Sequence, residues 1–151
     1  PSKVVDSRRL TELSYDQMRR LSLAGATVLH NQAVMPLAKY GIPLEIKSFY
    51  TPHKVGTLVT ERAAQNAVLS VTEKMQNGSY CCQVLHCLPL FRVGELLTKF
   101  LGGLARSISL PSGGVIVHSS VAVRRVSINS DVVKIYADSP VLNAVYDAFA
   151  R

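Results

Sequence analysis

The 151-residue sequence lacks the features that mark several large classes of protein. No apolar run approaches the roughly 18 residues that a membrane-spanning helix needs. No signal-peptide pattern is present, and the chain opens Pro1-Ser-Lys-Val-Val-Asp6 without an initiator Met. That start reads as the cut end of a longer polypeptide. Cysteine is scarce and odd in number, with only three, so no disulfide framework is expected and a reducing cytoplasm fits. Neither G-x-x-x-x-G-K-[ST] nor G-x-G-x-x-G occurs, and no G-x-S-x-G elbow. His30, His53, His86 and His118 are scattered, with no nucleophile or orienting acid beside any of them. The ten acids form no tight pair suited to acid–base work. No catalytic residue and no resident cofactor is therefore expected.

What remains is a foldable chain with an excess of positive charge. Apolar residues make up 48% and charged residues 18%, enough to build a core at this length. The 17 basic residues outnumber the acids for a net charge of +7. Nine bases and five acids fall in 1–62, and eight and five in 63–151. The only adjacent basic pairs are Arg8–Arg9, Arg19–Arg20 and Arg124–Arg125, and no aromatics interleave them. A phosphate-tracking surface concentrates its charge on one face. The even spread predicts a solvated surface and no nucleic-acid or membrane partner.

Cys81, Cys82, His86 and Cys87 crowd into seven residues and invite a zinc reading. The segment Tyr80–Leu88 reads as a strand, however, which puts Cys81 and Cys87 about 20 Å apart on one face. Cys82 and His86 lie about 13 Å apart on the other. Zinc ligands must converge within ~2.3 Å of one ion. Buried structural thiols are the expectation, and no metal site.

Along the chain, Ser14 and Gln17 form a capping-box start, and Gly25 ends or kinks the helix that follows. A second helical run over 26–40 contains Pro36, with a kink or break expected near Val34–Met35, and stops at Gly41. Ile42–Ser48 and Thr57–Thr60 read as strands, and Glu61–Asn66 as a polar linker. Beyond it come a strand at Ala67–Glu73, a turn at Met75–Ser79 and the cysteine-bearing strand. An amphipathic helix is expected at Val93–Arg106 and a turn at Pro111–Gly114. An extended run at Val115–Ile128 and a strand at Val132–Ala137 follow. Ser139 and Pro140 look like the cap and first residue of a last helix. From the cysteine strand onward the order is βαββα, ferredoxin-like but with its last strand not evident.

Four blocks carry a family resemblance: Leu13–Met18, Ala24–His30, Ala38–Ser48 and Gly56–Val59. In order and spacing they resemble the end of the catalytic domain of aspartate kinases, in the amino-acid kinase family. That family carries a "SYxEAxELAxxGAKVLHP" block, a "YxIPxxVRS" strand and a "GTLI" strand. Asn31 stands after His30 where the family has Pro. The resemblance implies an α/β (α+β) chain in which 1–62 is the end of a kinase domain. Residues 63–151 would be an ACT-like regulatory domain. It also places the family's catalytic residues upstream of this chain. The parent enzyme would phosphorylate aspartate with ATP and magnesium in the pathway to lysine, threonine and methionine. The chain itself is expected to be inactive.

Leu85–Phe100 resembles the first ACT strand, loop, glycine and helix. The resemblance implies an effector site at Arg92, Val93, Gly94, Glu95 and Leu96, where free N–H groups of Gly94, Glu95 and Leu96 open a helix toward an amino acid's carboxylate. Ser119 and Ser120 align with small polar residues lining the family's effector pocket. Lysine-inhibited members supply an acid on the strand after that helix, and Leu110–Gly114 has none, which argues against lysine. ACT modules pair, so a homodimer is implied. Two other readings stay open: a stand-alone ACT-type amino-acid sensor or inactive paralogue, and a basic ferredoxin-like nucleic-acid-binding domain.

Overall fold

The computed structural model describes residues 3–25, 28–109, 116–119 and 123–151. The chain divides into two compact units, Asp6–Gln65 and a second made of Pro1–Val5 with Asn66–Arg151.

In the first unit, β1 (Glu12–Ser14) leads directly into α1 (Tyr15–Leu23). Ser14 caps this helix: its Oγ accepts from the Gln17 N–H at 3.1 Å, and Gln17 Oε1 accepts from the Ser14 N–H at 3.0 Å. α2 (Asn31–Tyr40) starts later than the pattern suggests, capped by His30, whose Nδ1 accepts from the Gln32 N–H at 3.2 Å. It runs unbroken through Pro36 and stops at Gly41, which adopts a positive φ of 63°. β2 (Leu44–Ile46) and β3 (Thr57–Thr60) complete a three-stranded sheet of order β1-β3-β2, with β1 parallel to β3 and β2 antiparallel. Leu13, Met18, Leu21, Val34 and Val59 are buried. Gly56 is required where it stands, because a Cβ there would collide with the Ile46 carbonyl on the neighbouring strand.

The segment 61–66 is more than a polar linker. Ala64 is buried, and its peptide is held from both sides by Gln17: Oε1 accepts from the Ala64 N–H and Nε2 donates to the Ala64 carbonyl, each at 2.9 Å. One carboxamide thus satisfies a helix start and a buried peptide together.

The second unit contains β4 (Val68–Gln76), β5 (Ser79–His86), α3 (Leu90–Leu104), β6 (Ala105–Ser109), β7 (Ile116–Ser119), β8 (Val123–Ile128), β9 (Val132–Ala137) and α4 (Leu142–Phe149). β4 and β5 are joined by Asn77 and Gly78, both at positive φ, as a two-residue hairpin turn requires. The main sheet has the order β4-β5-β9-β8 and every pairing is antiparallel. With β5, β8 and β9 taken as the first three strands, this is the ferredoxin-like arrangement. The expected βαββα order is present as β5, α3, β8, β9 and α4, and β4, which precedes it, pairs with β5 at the edge where a closing strand belongs. Pairing across that edge is set by register, which periodicity along the chain does not encode.

Helices α3 and α4 cover one face. Cys82, Val84, Val133, Ile135 and Ala137 from the sheet meet Val93, Leu97, Phe100, Val145 and Phe149 from the helices. Three boundaries differ from expectation. α3 begins at Leu90 rather than Val93, and the run expected at Val115–Ile128 contains two strands, β7 and β8. β6 follows α3 directly and pairs with β7 in a separate hairpin. The turn expected at Pro111–Gly114 lies outside the described residues. α4 uses neither Ser139 nor Pro140 as its start; Val141 is the N-cap, with no side chain of its own to cap with.

Candidate functional site

The segment between β5 and α3 is positioned by hydrogen bonds on both sides. The His86 N–H donates to the Asp131 carbonyl and the Cys87 N–H to the Ala67 carbonyl, each at 2.9 Å. The Cys87 thiol lies against the same Ala67 peptide, 3.3 Å from its oxygen and 3.4 Å from its nitrogen. The Leu88 N–H then turns inward and donates to His86 Nδ1 at 3.0 Å. Pro89, exposed and without an N–H, closes the turn.

α3 begins immediately afterward, and the Pro89 carbonyl accepts from the N–H groups of Arg92 at 3.0 Å and Val93 at 3.1 Å. This corrects the mechanism expected for Gly94, Glu95 and Leu96. They lie beyond the first turn, where N–H groups pair with carbonyls four residues back and are not free. The helix-start N–H groups that meet no acceptor among the described residues are those of Leu90 and Phe91. Both side chains are also open to solvent, 62% and 72% exposed.

The expected site residues therefore separate. Val93 and Leu96 are buried among the core side chains and face away from solvent. Arg92 and Glu95 are exposed and pair with each other at 3.0 Å, one turn apart. Gly94 is exposed, and a Cβ there would meet nothing within 4 Å, so no packing demand in the described residues calls for glycine. Ser119 is the last residue of β7, and Ser120 lies outside the described residues, as does the acid-free stretch 110–114. Sequence reading missed Leu90 and Phe91 because it began the helix at the first strongly periodic apolar residue. Pro89 was the available signal, since helices readily begin just after a residue that cannot donate.

His86, which accepts the Leu88 N–H just before this helix, is 2% exposed. Burial lowers its pKa below the ordinary imidazole value, and the Asp131 carboxylate opposes that shift. Because the Leu88 N–H donates to Nδ1, the neutral ring carries its proton on Nε2. That nitrogen is buried without a hydrogen-bond partner among the described residues. The arrangement is a turn with two N–H donors that meet no acceptor among the described residues, exposed apolar side chains beside them and a buried neutral imidazole hydrogen-bonded to the Leu88 N–H just before the helix. It can receive a small anionic group such as a carboxylate, held by dipole and N–H groups together. Burial, with the neighbouring Glu73 and Cys81, pushes the Cys82 thiol up to about 12 and disfavours its thiolate. Cys81 and Cys82 point to opposite faces of β5, and no group of three potential metal ligands comes together among the described residues. No helix among the described residues is long and apolar enough to cross a membrane.

Known proteins similar to this chain are aspartokinases. Aspartokinase 3 of Bacillus subtilis is 40% identical over 62 residues, which cover 41% of this chain and 14% of that protein. The aspartokinase of Thermus thermophilus is 37% identical over 65 residues, 43% of this chain and 16% of that one. The bifunctional aspartokinase/homoserine dehydrogenase of Buchnera aphidicola is 39% identical over 62 residues, 41% of this chain and 8% of its own length. The matched stretch thus spans less than a fifth of each of these relatives. No protein-family model matches the chain. Among solved structures, the aspartate kinase of Clostridium acetobutylicum superposes with a TM-score of 0.57 at 17% identity, covering 99% of this chain and 51% of that one. That likeness establishes a shared mixed α/β fold.

Proposed function

We propose that this chain is the regulatory portion of an aspartate kinase, carrying the end of the kinase domain and one ACT-like module that binds an amino acid. The observation that carries this reading is the start of α3, where the Leu90 and Phe91 N–H groups meet no acceptor among the described residues and their apolar side chains are exposed. An amino acid's carboxylate suits those donors. The sequence likeness to aspartokinases, and the superposition on an aspartate kinase whose structure is described as that of an allosteric enzyme, support placing the site in feedback control.

In this reading the parent enzyme transfers the γ-phosphoryl group of ATP, with magnesium, to the side-chain carboxylate of aspartate. The present chain has no part in that step. It pairs with a second copy through its ACT-like units and senses an end product of the pathway. Calorimetric titration of the chain with lysine, threonine and methionine tests this. A saturable heat with one of them supports the reading, and no heat with any of the three removes it. Formation of aspartyl phosphate from ATP and aspartate by the pure chain would contradict its assignment as purely regulatory.

A further inference from the structure

The face of the main sheet turned away from α3 and α4 is basic, a property invisible in the linear spread of charge. Cys82 and Val84 face the helices, so their neighbours Cys81 and Gln83 face the other way. The pairings then define two rows across all four strands of that opposite face. One row reads Lys74, Cys81, Tyr136, Arg125, and the next reads Thr72, Gln83, Lys134, Ser127. Lys74 and Arg125 at the edges are exposed, Lys134 and Tyr136 are half-buried, and Cys81 in the middle of the first row is buried, so the accessible part of this face is its charged and aromatic side chains. The Arg125 guanidinium lies over the Tyr136 ring, 4.3 Å from its centroid. The only acid in the four strands is Glu73, which belongs to the helix-covered face through its pairing with Cys82.

From this placement we infer that the basic sheet face binds single-stranded nucleic acid. Three cations with no acid among them match a phosphate backbone. Four strands at ~4.8 Å spacing give a platform about 14 Å wide, room for two or three nucleotides. The stacked Arg125–Tyr136 pair offers the flat cationic surface on which bases stack, and Thr72, Gln83 and Ser127 supply donors and acceptors for base edges. An acidic polypeptide would use the cations and leave this platform idle. The earlier expectation of no nucleic-acid partner rested on charge being dispersed along the chain. The register gathers three of those charges. This inference is independent of the amino-acid site at Leu90 and Phe91.

The test is fluorescence anisotropy with a labelled 20-nucleotide mixed-sequence single strand, DNA and RNA in turn, using the full chain. Three phosphate contacts predict a log–log salt slope near −2, so that raising salt from 50 to 200 mM weakens binding about twenty-fold. The triple variant Lys74→Gln, Arg125→Gln, Lys134→Gln should lose at least about tenfold at 50 mM and most of the slope. The control pair Lys39→Gln, Lys54→Gln, in the other unit, should stay within about twofold of the parent chain, since neither lysine meets the strand in this account. Tyr136→Leu leaves the charge intact and should cost about tenfold through lost stacking. Circular dichroism establishes that each variant is folded. Three results would overturn the inference: no binding at 50 mM salt, equal loss in the control pair, or competition by polyglutamate as effective as by unlabelled oligonucleotide.

Discussion

Glu73 on β4 reaches the start of α4 and accepts a 2.8 Å hydrogen bond from the Val141 N–H through Oε2. The two residues are 68 positions apart, and the bond ties the closing strand of the sheet to its second helix. Val141 offers no side-chain cap of its own, so a carboxylate borrowed from the sheet satisfies the helix end and favours its dipole.

Glu73→Ala should therefore cost about 1–2 kcal/mol, because it leaves a partly buried N–H unmet. Glu73→Gln keeps an acceptor and removes only the charge, and should cost about 0.5 kcal/mol. Urea denaturation of both variants checks this. Equal stability of Glu73→Ala and the parent chain would mean that Val141 finds another acceptor.

Gln17 holds Ser14 and Ala64 together through one carboxamide. Gln17→Ala removes three of its hydrogen bonds at a buried site and should destabilise the first unit by about 2 kcal/mol. Gln17→Glu retains the acceptor for both N–H groups but sets a carboxylate oxygen against the Ala64 carbonyl. Its loss should be smaller at pH 5 than at pH 8, since the protonated acid can donate as the amide does. Thermal melts at the two pH values resolve the difference.

His86 makes stability pH-dependent with a definite sign. Its folded-state pKa is lowered, so below the ordinary value of 6.5 the unfolded chain binds a proton that the folded chain refuses. Its contribution is complete above that pH and is lost as pH falls toward the folded-state value. The urea midpoint should drop between pH 7.5 and 5.5. In His86→Asn, which keeps an acceptor for the Leu88 N–H, that drop should be reduced. An unchanged pH profile would mean that the imidazole is not the group responsible.

The three cysteines should differ sharply toward a thiol reagent. Cys81 and Cys82 are buried, with Cys82 pushed up to about 12, while Cys87 is half-buried. At pH 8 the folded chain should release one equivalent of chromophore from Ellman's reagent, slowly, and three only in denaturant. Cys87→Ser should abolish the reaction of the folded chain.

Local structure was legible in the sequence wherever the signal was local. The Ser14–Gln17 capping box, the Thr57–Thr60 strand and the Asn77-Gly78 turn stand where their residues predict. Features made by distant partners were not legible. β4 reads as a strand, but only its pairing with β5 shows that it closes the ferredoxin-like sheet. The cap of α4 lies in Glu73, whereas Ser139-Pro140 offered a plausible local one. At the candidate site the start of the helix was misplaced by three residues. The helix starts at Leu90, which converts Gly94–Leu96 from free donors into helix interior. The basic sheet face follows the same rule: Lys74, Arg125 and Lys134 are separated along the chain and brought together only by register.

Amide-resolved titration of the 15N-labelled chain with lysine, threonine and methionine addresses the central claim most directly. The account predicts that one of them shifts the N–H resonances of Leu90 and Phe91 saturably, with smaller changes through His86 and Leu88. The buried amides of the first unit, Val34 and Val59 among them, should stay in place. If all three amino acids leave Leu90 and Phe91 unmoved, or if the shifts fall elsewhere, the start of α3 is not an effector site and the regulatory reading loses its foundation.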